Sequence, residues 1–200
     1  MAKALFVVDV QRDFCEGGSL AVEGGAAVAT AITDFLNEKA GDYDIVLASR
    51  DWHNADGDNS GHFAPAGQAP DFVHNWPVHC VAGTRGAEYH PNFDSDFVMV
   101  HIEKGQGKPA YSLFEGNTPE GKPIADVIAQ YGIDDVDVCG LATDYCVLAS
   151  ALDAKKSGMK VRVISDLTAG VAPESTEQAI DQLVDAGVGV ITSDQVTSAA

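Results

Sequence analysis

The stretch DVDVCGLATDYCVLASALDAKKSG, residues 135–158, contains the unit that decides the fold. A short run rich in valine ends at Gly140, and an amphipathic segment follows from Thr143 to Gly158. Buried parallel strands have such continuous apolar runs, and helices often end on a glycine. The stretch therefore predicts a strand that is followed directly by a helix.

The same alternation of strand and helix continues on both sides of this stretch. Apolar runs typical of buried strands occupy residues 5–9, 44–49, 97–103, 135–140, 161–165 and 187–192. Amphipathic segments typical of helices occupy residues 26–39, 123–132, 143–158 and 173–187. The pattern predicts an α/β fold: an open, mostly parallel sheet of six strands with helices on both faces, in a Rossmann-like three-layer arrangement. We expect residues 1–200 to form a single domain with a frayed tail at residues 198–200.

Composition excludes several classes of function. The 200 residues include 12 Lys+Arg and 30 Asp+Glu, which gives a formal net charge of −18. Because phosphate binding depends on clustered Lys and Arg, we expect neither a nucleic acid nor a membrane surface as a partner. The apolar runs are all shorter than the roughly 18 residues that a membrane span needs. Four cysteines without a regular spacing, in a chain whose first apolar run is too short for a signal peptide, indicate reduced thiols and a cytoplasmic location.

Four reactive side chains follow the predicted strands. Ligands of an open parallel sheet bind beyond the carboxyl ends of its strands, so these side chains are expected to share one rim. A thiol in a first helical turn is expected to have a lowered pKa, because the helix dipole favours the thiolate. An aspartate nearby could take the thiol proton, and a lysine would favour both ionised forms. The four residues are Asp9, Asp51, Lys104 and Cys146.

Each of these residues also has a purely structural interpretation. Cys146 could pack as a small apolar residue, Asp9 could cap a turn, and Lys104 could be a solvated lysine. We expect Thr143 or Asp144 to cap the helix that carries Cys146. Of the other cysteines, Cys139 is expected in the core, whereas Cys15 and Cys80 lie in loops and have no assigned role.

Residues 50–96 interrupt the alternation of strand and helix. The segment carries five of the six histidines and both tryptophans, and loops of this length are usually functional. Asp51 and His53 lie two positions apart, so in an extended segment both can reach one cation. With His62 and His79 they would form a set of one carboxylate and three imidazoles, which suits Zn, Fe(II) or Mn. Ordinary hydrogen-bonded loop histidines are the alternative.

The remaining histidines and three aromatic residues are less clearly assigned. His74 competes by position as a metal ligand, while His90 and His101 are expected to be structural or exposed. Three aromatic residues are expected either to line a pocket for a flat substrate or to pack in the core: Phe14, Trp76 and Tyr111.

With these residues in view, the chain resembles the nicotinamidase/pyrazinamidase family of isochorismatase-like cysteine hydrolases over nearly its whole length. The resemblance rests on DVQRDFCEGGSLAV from Asp9, RDWH from Arg50, SGHF around His62, WPVHCVAGTRGAEYHP from Trp76, EKG at Glu103, AYSLFEG from Ala110, GLATDYCV from Gly140 and DLTAGV from Asp166.

The resemblance implies an isochorismatase-like fold and a role for individual residues. The catalytic triad of the family is matched by Asp9, Lys104 and Cys146. The ligands of one divalent metal ion, Zn, Fe or Mn, are matched by Asp51, His53, His62 and His79. The residues that clamp the substrate ring are matched by Phe14 and Trp76, and further substrate contacts are expected of Tyr111, Leu141 and Tyr145.

The resemblance to the family also concerns the backbone near Cys146 and the length of one loop. The peptide between Leu141 and Ala142 matches the family's cis peptide, which turns the N–H groups of Ala142 and Cys146 into an oxyanion hole. Tyr145 stands where some relatives have histidine, and the loop between His53 and His62 is a few residues longer. Both departures concern the size of the pocket.

The function that the resemblance implies is conversion of nicotinamide and water to nicotinate and ammonia, a step of NAD salvage, through a cysteine thioester. Pyrazinamide is expected as a second substrate, and the metal would hold the pyridine nitrogen. The implied partner is thus a small aromatic amide, and the implied unit is a monomer or homodimer. Two alternatives remain open: a related N-carbamoyl or ureido amidohydrolase or isochorismatase, and a non-catalytic metal-binding module. The first group generally lacks this metal quartet, and isochorismatases also lack the cysteine.

Overall fold

A computed structural model describes residues 2–197, and the parallel sheet at its centre contains six strands within that range. The strands are β1 (Ala2–Val8), β2 (Ile45–Asp51), β3 (Val100–Lys104), β4 (Ile133–Leu141), β5 (Lys160–Ala169) and β6 (Gly189–Ile191). The α-helices are α1 (Gly25–Lys39), α2 (Ile124–Tyr131), α3 (Leu148–Lys156) and α4 (Pro173–Asp185). The tail at residues 198–200, expected to be frayed, lies outside the described residues.

The strands lie in the order β3-β2-β1-β4-β5-β6, and each neighbouring pair in the described range is parallel. The predicted α/β fold with an open six-stranded parallel sheet is therefore confirmed. The strand order reverses between β1 and β4, and a sheet of this kind has a crevice at the carboxyl ends of the strands where the order reverses. Asp9 follows β1 directly, and Cys146 lies in the turn that follows β4. The topology thus brings two of the predicted site residues to one crevice.

Alternate side chains of β1 enter two separate cores, one on each face of the sheet. Leu5 and Val7 pack in the core that contains α1, whereas Phe6 and Val8 pack in the core that contains α2, α3 and α4. Because β1 is covered on both faces, its sequence is almost continuously apolar and does not alternate between apolar and polar residues. The prediction of helices on both faces is confirmed. No helix in the described part of the chain is both long enough and apolar enough to cross a membrane.

The segment after β4 differs from the uninterrupted helix that the sequence predicts. Thr143–Val147 form one π-helical turn, and α3 begins only after it. The expectation that Thr143 or Asp144 caps this helix is wrong. The carbonyl of Ala142 instead accepts the first backbone hydrogen bonds of the turn, and the Asp144 carboxylate accepts from the N–H of Val171 (2.9 Å) and from the Ser175 hydroxyl. Asp144 therefore ties the turn to the start of α4.

Asp137 in β4 forms a buried charge cluster away from the crevice. Its carboxylate lies 2.5 Å from Nε of Arg162 and 3.4 Å from Nζ of Lys3, and it accepts a hydrogen bond of 2.7 Å from the Tyr43 hydroxyl. Burial raises the pKa of Tyr43 above its ordinary value, and the Asp137 charge adds to that effect. The cluster links β1, β4 and β5 on the face that α1 covers.

The Asp137→Ala variant is expected to lose about 3–5 kcal/mol of unfolding free energy, because the buried charge of Lys3 then lacks a counter-ion and Arg162 loses the buried carboxylate that its Nε contacts. Urea denaturation monitored by circular dichroism measures this loss. Asp135→Ala is the matched control, since Asp135 pairs with the same Arg162 at 2.7 Å but is 27% exposed. We expect the control to cost about 1 kcal/mol or less. Equal losses for the two variants would contradict the argument from burial.

Candidate active site

Asp9, Lys104 and Cys146 meet at the carboxyl ends of the central strands. Nζ of Lys104 lies 2.9 Å from Oδ2 of Asp9 and 3.6 Å from Sγ of Cys146. The same ammonium also donates to the carboxylate of Asp51, the last residue of β2. All four side chains are buried. The four reactive residues expected on one rim therefore form one enclosed centre.

The pKa values in this centre follow from burial and from charge pairing. Burial alone would lower the pKa of Lys104, but the carboxylates of Asp51 and Asp9 outweigh it and hold that pKa well above its ordinary value. Burial raises the pKa of Asp9, and Lys104 opposes this only in part. Burial would also raise the pKa of Asp51, but Lys104 and His53 hold it well below its ordinary value. Asp51 is thus the anion of the cluster, and Asp9 is the better proton acceptor.

The thiol of Cys146 does not have the lowered pKa that its place in a helical turn suggested. Burial raises its pKa well above the ordinary value, the Lys104 ammonium opposes this, and the Asp9 carboxylate raises it further. The physical reason is that the thiol is enclosed, so the loss of hydration outweighs the attraction of one ammonium. A neutral thiol needs a base, and of the two carboxylates that share Lys104 with it, Asp9 is the one whose pKa is raised.

The backbone beside Cys146 has the form that the resemblance implied. The peptide between Leu141 and Ala142 is cis, and both residues line the cavity that contains Cys146. The carbonyl of Ala142 accepts hydrogen bonds from the N–H groups of Tyr145 and Val147, each at 3.1 Å.

Asp51, His53, His62 and His79 form a buried cluster next to this centre. One donor atom from each residue lies within 4.8 Å of the others. Oδ2 of Asp51 is 3.5 Å from Nε2 of His53 and 3.6 Å from Nε2 of His79. Nδ1 of His53 hydrogen-bonds to the carbonyl of Gly105 at 2.7 Å, and Nδ1 of His79 to that of Pro77 at 2.7 Å. Since a carbonyl only accepts, each Nδ1 carries a hydrogen, so Nε2 is the nitrogen of each ring that can bind a metal.

This cluster fits a divalent metal ion. Nε2 of His53 and both ring nitrogens of His62 are buried and lack a hydrogen-bond partner among residues 2–197, which is costly unless a ligand satisfies them. Burial lowers the pKa of His62 to about 3, and the nearby His53 and His79 contribute to the shift. His62 is therefore neutral at physiological pH, which is the form that binds metals. One carboxylate and three neutral imidazoles are a common ligand set for a divalent cation.

The other histidines and cysteines lie outside this cluster. The prediction that His74 competes as a ligand is wrong, because its side chain is 83% exposed and pairs with Asp71 at 3.1 Å. His101 is partly buried and hydrogen-bonds to the Tyr89 hydroxyl at 3.0 Å, and Nδ1 of His90 accepts from the N–H of Asn92 at 3.3 Å. The thiols that are buried and free besides Cys146 are those of Cys15, Cys80 and Cys139, of which Cys139 lies in the core as predicted.

A cavity opens beside Cys146 and the metal-ligand cluster. Nε1 of Trp76 donates to the Tyr111 hydroxyl at 3.1 Å, and the ring of Tyr145 meets Trp76 edge-on at 5.2 Å. These contacts hold three aromatic rings in one wall of the cavity. The lining includes all five residues expected to contact substrate, Phe14, Trp76, Tyr111, Leu141 and Tyr145, together with four apolar residues that were not predicted, Leu20, Val22, Ala110 and Val171.

Gln11 is a site residue that the sequence analysis missed. It is fully buried, and Oε1 accepts from the N–H of Asp51 at 2.8 Å. Nε2 donates to the carbonyls of Asp51 at 2.9 Å and Ala87 at 3.0 Å. Gln11 thus fixes the backbone of a proposed metal ligand. The only sign of this role in the sequence is that Gln11 lies two residues after the strand-end aspartate Asp9. Without the fold, this is weak evidence for a site residue.

Comparison with known proteins gives a consistent result. The family model of the isochorismatase domain matches residues 3–195 of the chain. The chain is 47% identical over 191 residues to the nicotinamidase/pyrazinamidase of Mycobacterium tuberculosis, and the match covers 96% of this chain and 99% of the relative.

Two solved structures share the fold. The pyrazinamidase of Pyrococcus horikoshii in complex with zinc superposes with a TM-score of 0.80 at 35% identity, covering 96% of this chain and 99% of that one. The PnC1 protein of L. infantum in complex with nicotinate superposes with a TM-score of 0.81 at 32% identity, covering 98% of this chain and 95% of that one.

Proposed function

The chain belongs to the isochorismatase family, and from this premise we propose that it is an amidohydrolase that converts nicotinamide to nicotinate and ammonia. The observation that carries the proposal is the buried contact of Lys104 with Asp9, Asp51 and Cys146 at one end of an aromatic-lined cavity. A pyridine carboxamide offers a carbonyl to the thiol and a ring nitrogen to the metal-ligand cluster. Pyrazinamide offers the same two groups and is the second proposed substrate, in agreement with the name of the M. tuberculosis relative.

In the first half of the proposed reaction, Asp9 takes the proton of Cys146 and the sulfur attacks the carboxamide carbon. The raised pKa of Asp9 favours this transfer, and Lys104 stabilises the negative charge as it moves from the carboxylate to the sulfur. The N–H groups of Ala142 and Cys146 donate to the oxyanion. Asp9 then gives its proton to the amide nitrogen, the C–N bond breaks, and ammonia leaves a thioester on Cys146.

The second half consumes one water molecule. Asp9 takes a proton from the water, whose oxygen attacks the thioester carbon. The C–S bond breaks, the acid is released, and the sulfur of Cys146 takes the proton back from Asp9. Asp9 therefore acts twice as base and twice as acid, which a buried carboxylate with a raised pKa can do at neutral pH.

The remaining residues bind and orient the substrate. The rings of Phe14 and Trp76 offer apolar surfaces to a flat heterocycle, and Tyr111 and Tyr145 hold Trp76 in place. A divalent ion bound by Asp51 and the three histidines would supply a Lewis-acidic position for the ring nitrogen. Zinc, iron(II) and manganese all suit this donor set, and the structurally similar P. horikoshii pyrazinamidase holds zinc.

The proposal extends to the setting of the enzyme. We propose that residues 1–200 form one hydrolase domain with its metal-binding loop at about residues 50–96, and that the protein acts in NAD salvage in the cytoplasm as a monomer or homodimer. The direct test of the function is ammonia release from nicotinamide by purified, metal-loaded protein. Release from carbamoyl or ureido substrates but not from nicotinamide would instead support the alternative amidohydrolase.

The His53→Ala variant is expected to lose bound metal and to release ammonia from nicotinamide at least about 100-fold more slowly, because one ligand of the cluster is removed. Metal content after dialysis is measured by mass spectrometry, and activity by ammonia release. His74→Ala is the matched control, since His74 lies in the same loop but is exposed. If metal content and activity both survive in His53→Ala, the metal assignment is wrong.

A further inference from the structure

Asn59 lies in the loop between two proposed metal ligands, His53 and His62, and it is only 3% exposed. Its Oδ1 accepts from the N–H of Asn54 at 2.9 Å and from the N–H of Gly107 at 3.0 Å. Its Nδ2 donates to the carbonyl of Asn54 at 3.0 Å. One buried amide thus holds both backbone groups of one loop residue and also bonds to a second segment.

Both segments lead directly to the metal-ligand cluster. Asn54 is the next residue after His53, and the turn that contains Gly107 also contains Gly105, whose carbonyl accepts the Nδ1 hydrogen of His53. In addition, the backbone carbonyl of Asn59 accepts the N–H of His62 at 3.4 Å. Asn59 is therefore hydrogen-bonded to the backbone beside one histidine and to the backbone of the other.

The backbone of this loop depends on such side-chain bonds. Residues 54–61 form turns and bends, so the hydrogen bonds of a helix or strand do not hold them. Asn59 has φ of +50°, a left-handed conformation that asparagine tolerates better than most residues and that glycine adopts freely. The hydroxyl of Ser60 adds one bond of 2.8 Å to the carbonyl of Gly107.

We propose that Asn59 is a positioning residue for the metal centre, which sets His53 and His62 in place before the cation binds. The inference rests on the metal site of the proposed function. Ligands that are already ordered avoid the entropy cost of ordering the loop on binding. Loss of residues that orient metal ligands typically weakens metal affinity by about 10–100-fold. We expect loss of the Asn59 side chain to weaken metal affinity within that range, although no metal-ligating atom is removed.

The experiment measures the dissociation constant of Zn²⁺ for the purified full chain, by competition with a chromophoric chelator. Asn59→Gly removes the amide and keeps the left-handed backbone accessible, and we expect its affinity for Zn²⁺ to fall about 10–100-fold. Asn59→Asp keeps an oxygen that can accept from the N–H groups of Asn54 and Gly107, but its second oxygen faces the Asn54 carbonyl, so we expect it to recover only part of the affinity. Asn92→Gly, an exposed asparagine of the same long loop, is the matched control and should bind like wild type.

The unfolding temperature of each metal-free variant separates a positioning role from a merely structural one. A lower unfolding temperature of Asn59→Gly with a Zn²⁺ affinity within twofold of wild type would overturn the inference. An Asn59→Asp variant that binds as weakly as Asn59→Gly would overturn the role of the amide oxygen. Failure of wild type itself to bind Zn²⁺ would overturn the proposed metal site and this inference together. Failure of the inference alone leaves Zn²⁺ binding by wild type intact, so the two outcomes are distinguishable.

Discussion

Replacing Cys146 with alanine is expected to reduce ammonia release from nicotinamide at least about 10⁴-fold, as for loss of a nucleophile in other covalent hydrolases. The proposed thioester needs the sulfur, and alanine leaves Asp9 without a proton to accept from the side chain. The cavity, its aromatic walls and the metal-ligand cluster stay in place, because the substitution removes one atom from a buried site. Initial rates with metal-loaded protein, coupled to an ammonia assay, measure the effect.

Cys139→Ala is the matched control for this variant. Cys139 is also a buried free cysteine, but it lies in the core of β4 and does not line the cavity. We expect its rate to stay within a few-fold of wild type. A Cys146→Ala variant with more than a few per cent of wild-type activity would exclude a covalent mechanism, provided that its circular dichroism spectrum and metal content match wild type.

Replacing Lys104 with methionine is expected to abolish turnover and also to destabilise the fold. Lys104 is the cation shared by the buried carboxylates of Asp9 and Asp51, and methionine fills a similar volume without a charge. Removing one partner of a buried ion pair costs about 3–5 kcal/mol of unfolding free energy. Urea denaturation of the metal-free protein measures this loss. Lys160→Met, which removes an exposed lysine paired with Asp135, is expected to cost about 1 kcal/mol or less.

The sign of the pH dependence gives a second readout for Lys104→Met. In this variant burial acts on Asp9 without the opposing ammonium, so its pKa rises further above the unfolded value. A group whose pKa is raised on folding binds a proton more tightly in the native state, so stability increases as the pH falls towards the unfolded pKa of about 4. The stability gap between variant and wild type should therefore narrow between pH 7 and pH 5. A gap that stays constant would show that lost packing, not buried charge, causes the destabilisation.

The strands and helices were largely predictable because they follow local rules. The apolar run at residues 135–140 is covered on both faces, so it has the composition of a buried strand, and β4 is found at Ile133–Leu141. Pro173 marks the first position of α4, as proline does when it loses no hydrogen bond. The π-helical turn at Thr143–Val147 was not predictable, because the side chain expected to cap the helix bonds instead to the loop before α4, which is distant in sequence.

The candidate site was predictable only in part. Asp9, Asp51, Lys104 and Cys146 could be placed on one rim, because parallel strands end at the same edge of a sheet. The direction in which the pKa of Cys146 shifts could not be predicted, since it depends on how completely the fold encloses the thiol. Gln11 and Asn59 were missed because a polar residue in a loop carries no signal of what its amide will bond to.

The sequence by itself determined the alternation of strand and helix, the chemical types available at the strand ends, and a resemblance that implies their roles. These depend on periodicity and residue type, which are local properties of a chain. Only the tertiary structure decided which groups are buried together, and hence that Lys104 contacts two carboxylates and a thiol. It also decided that Nε2 of His53, which has no hydrogen-bond partner among residues 2–197, lies 3.5 Å from Oδ2 of Asp51. The physical reason is that desolvation and Coulomb energies depend on distance and enclosure in space, and residues 9, 51, 104 and 146 become neighbours only when the sheet forms.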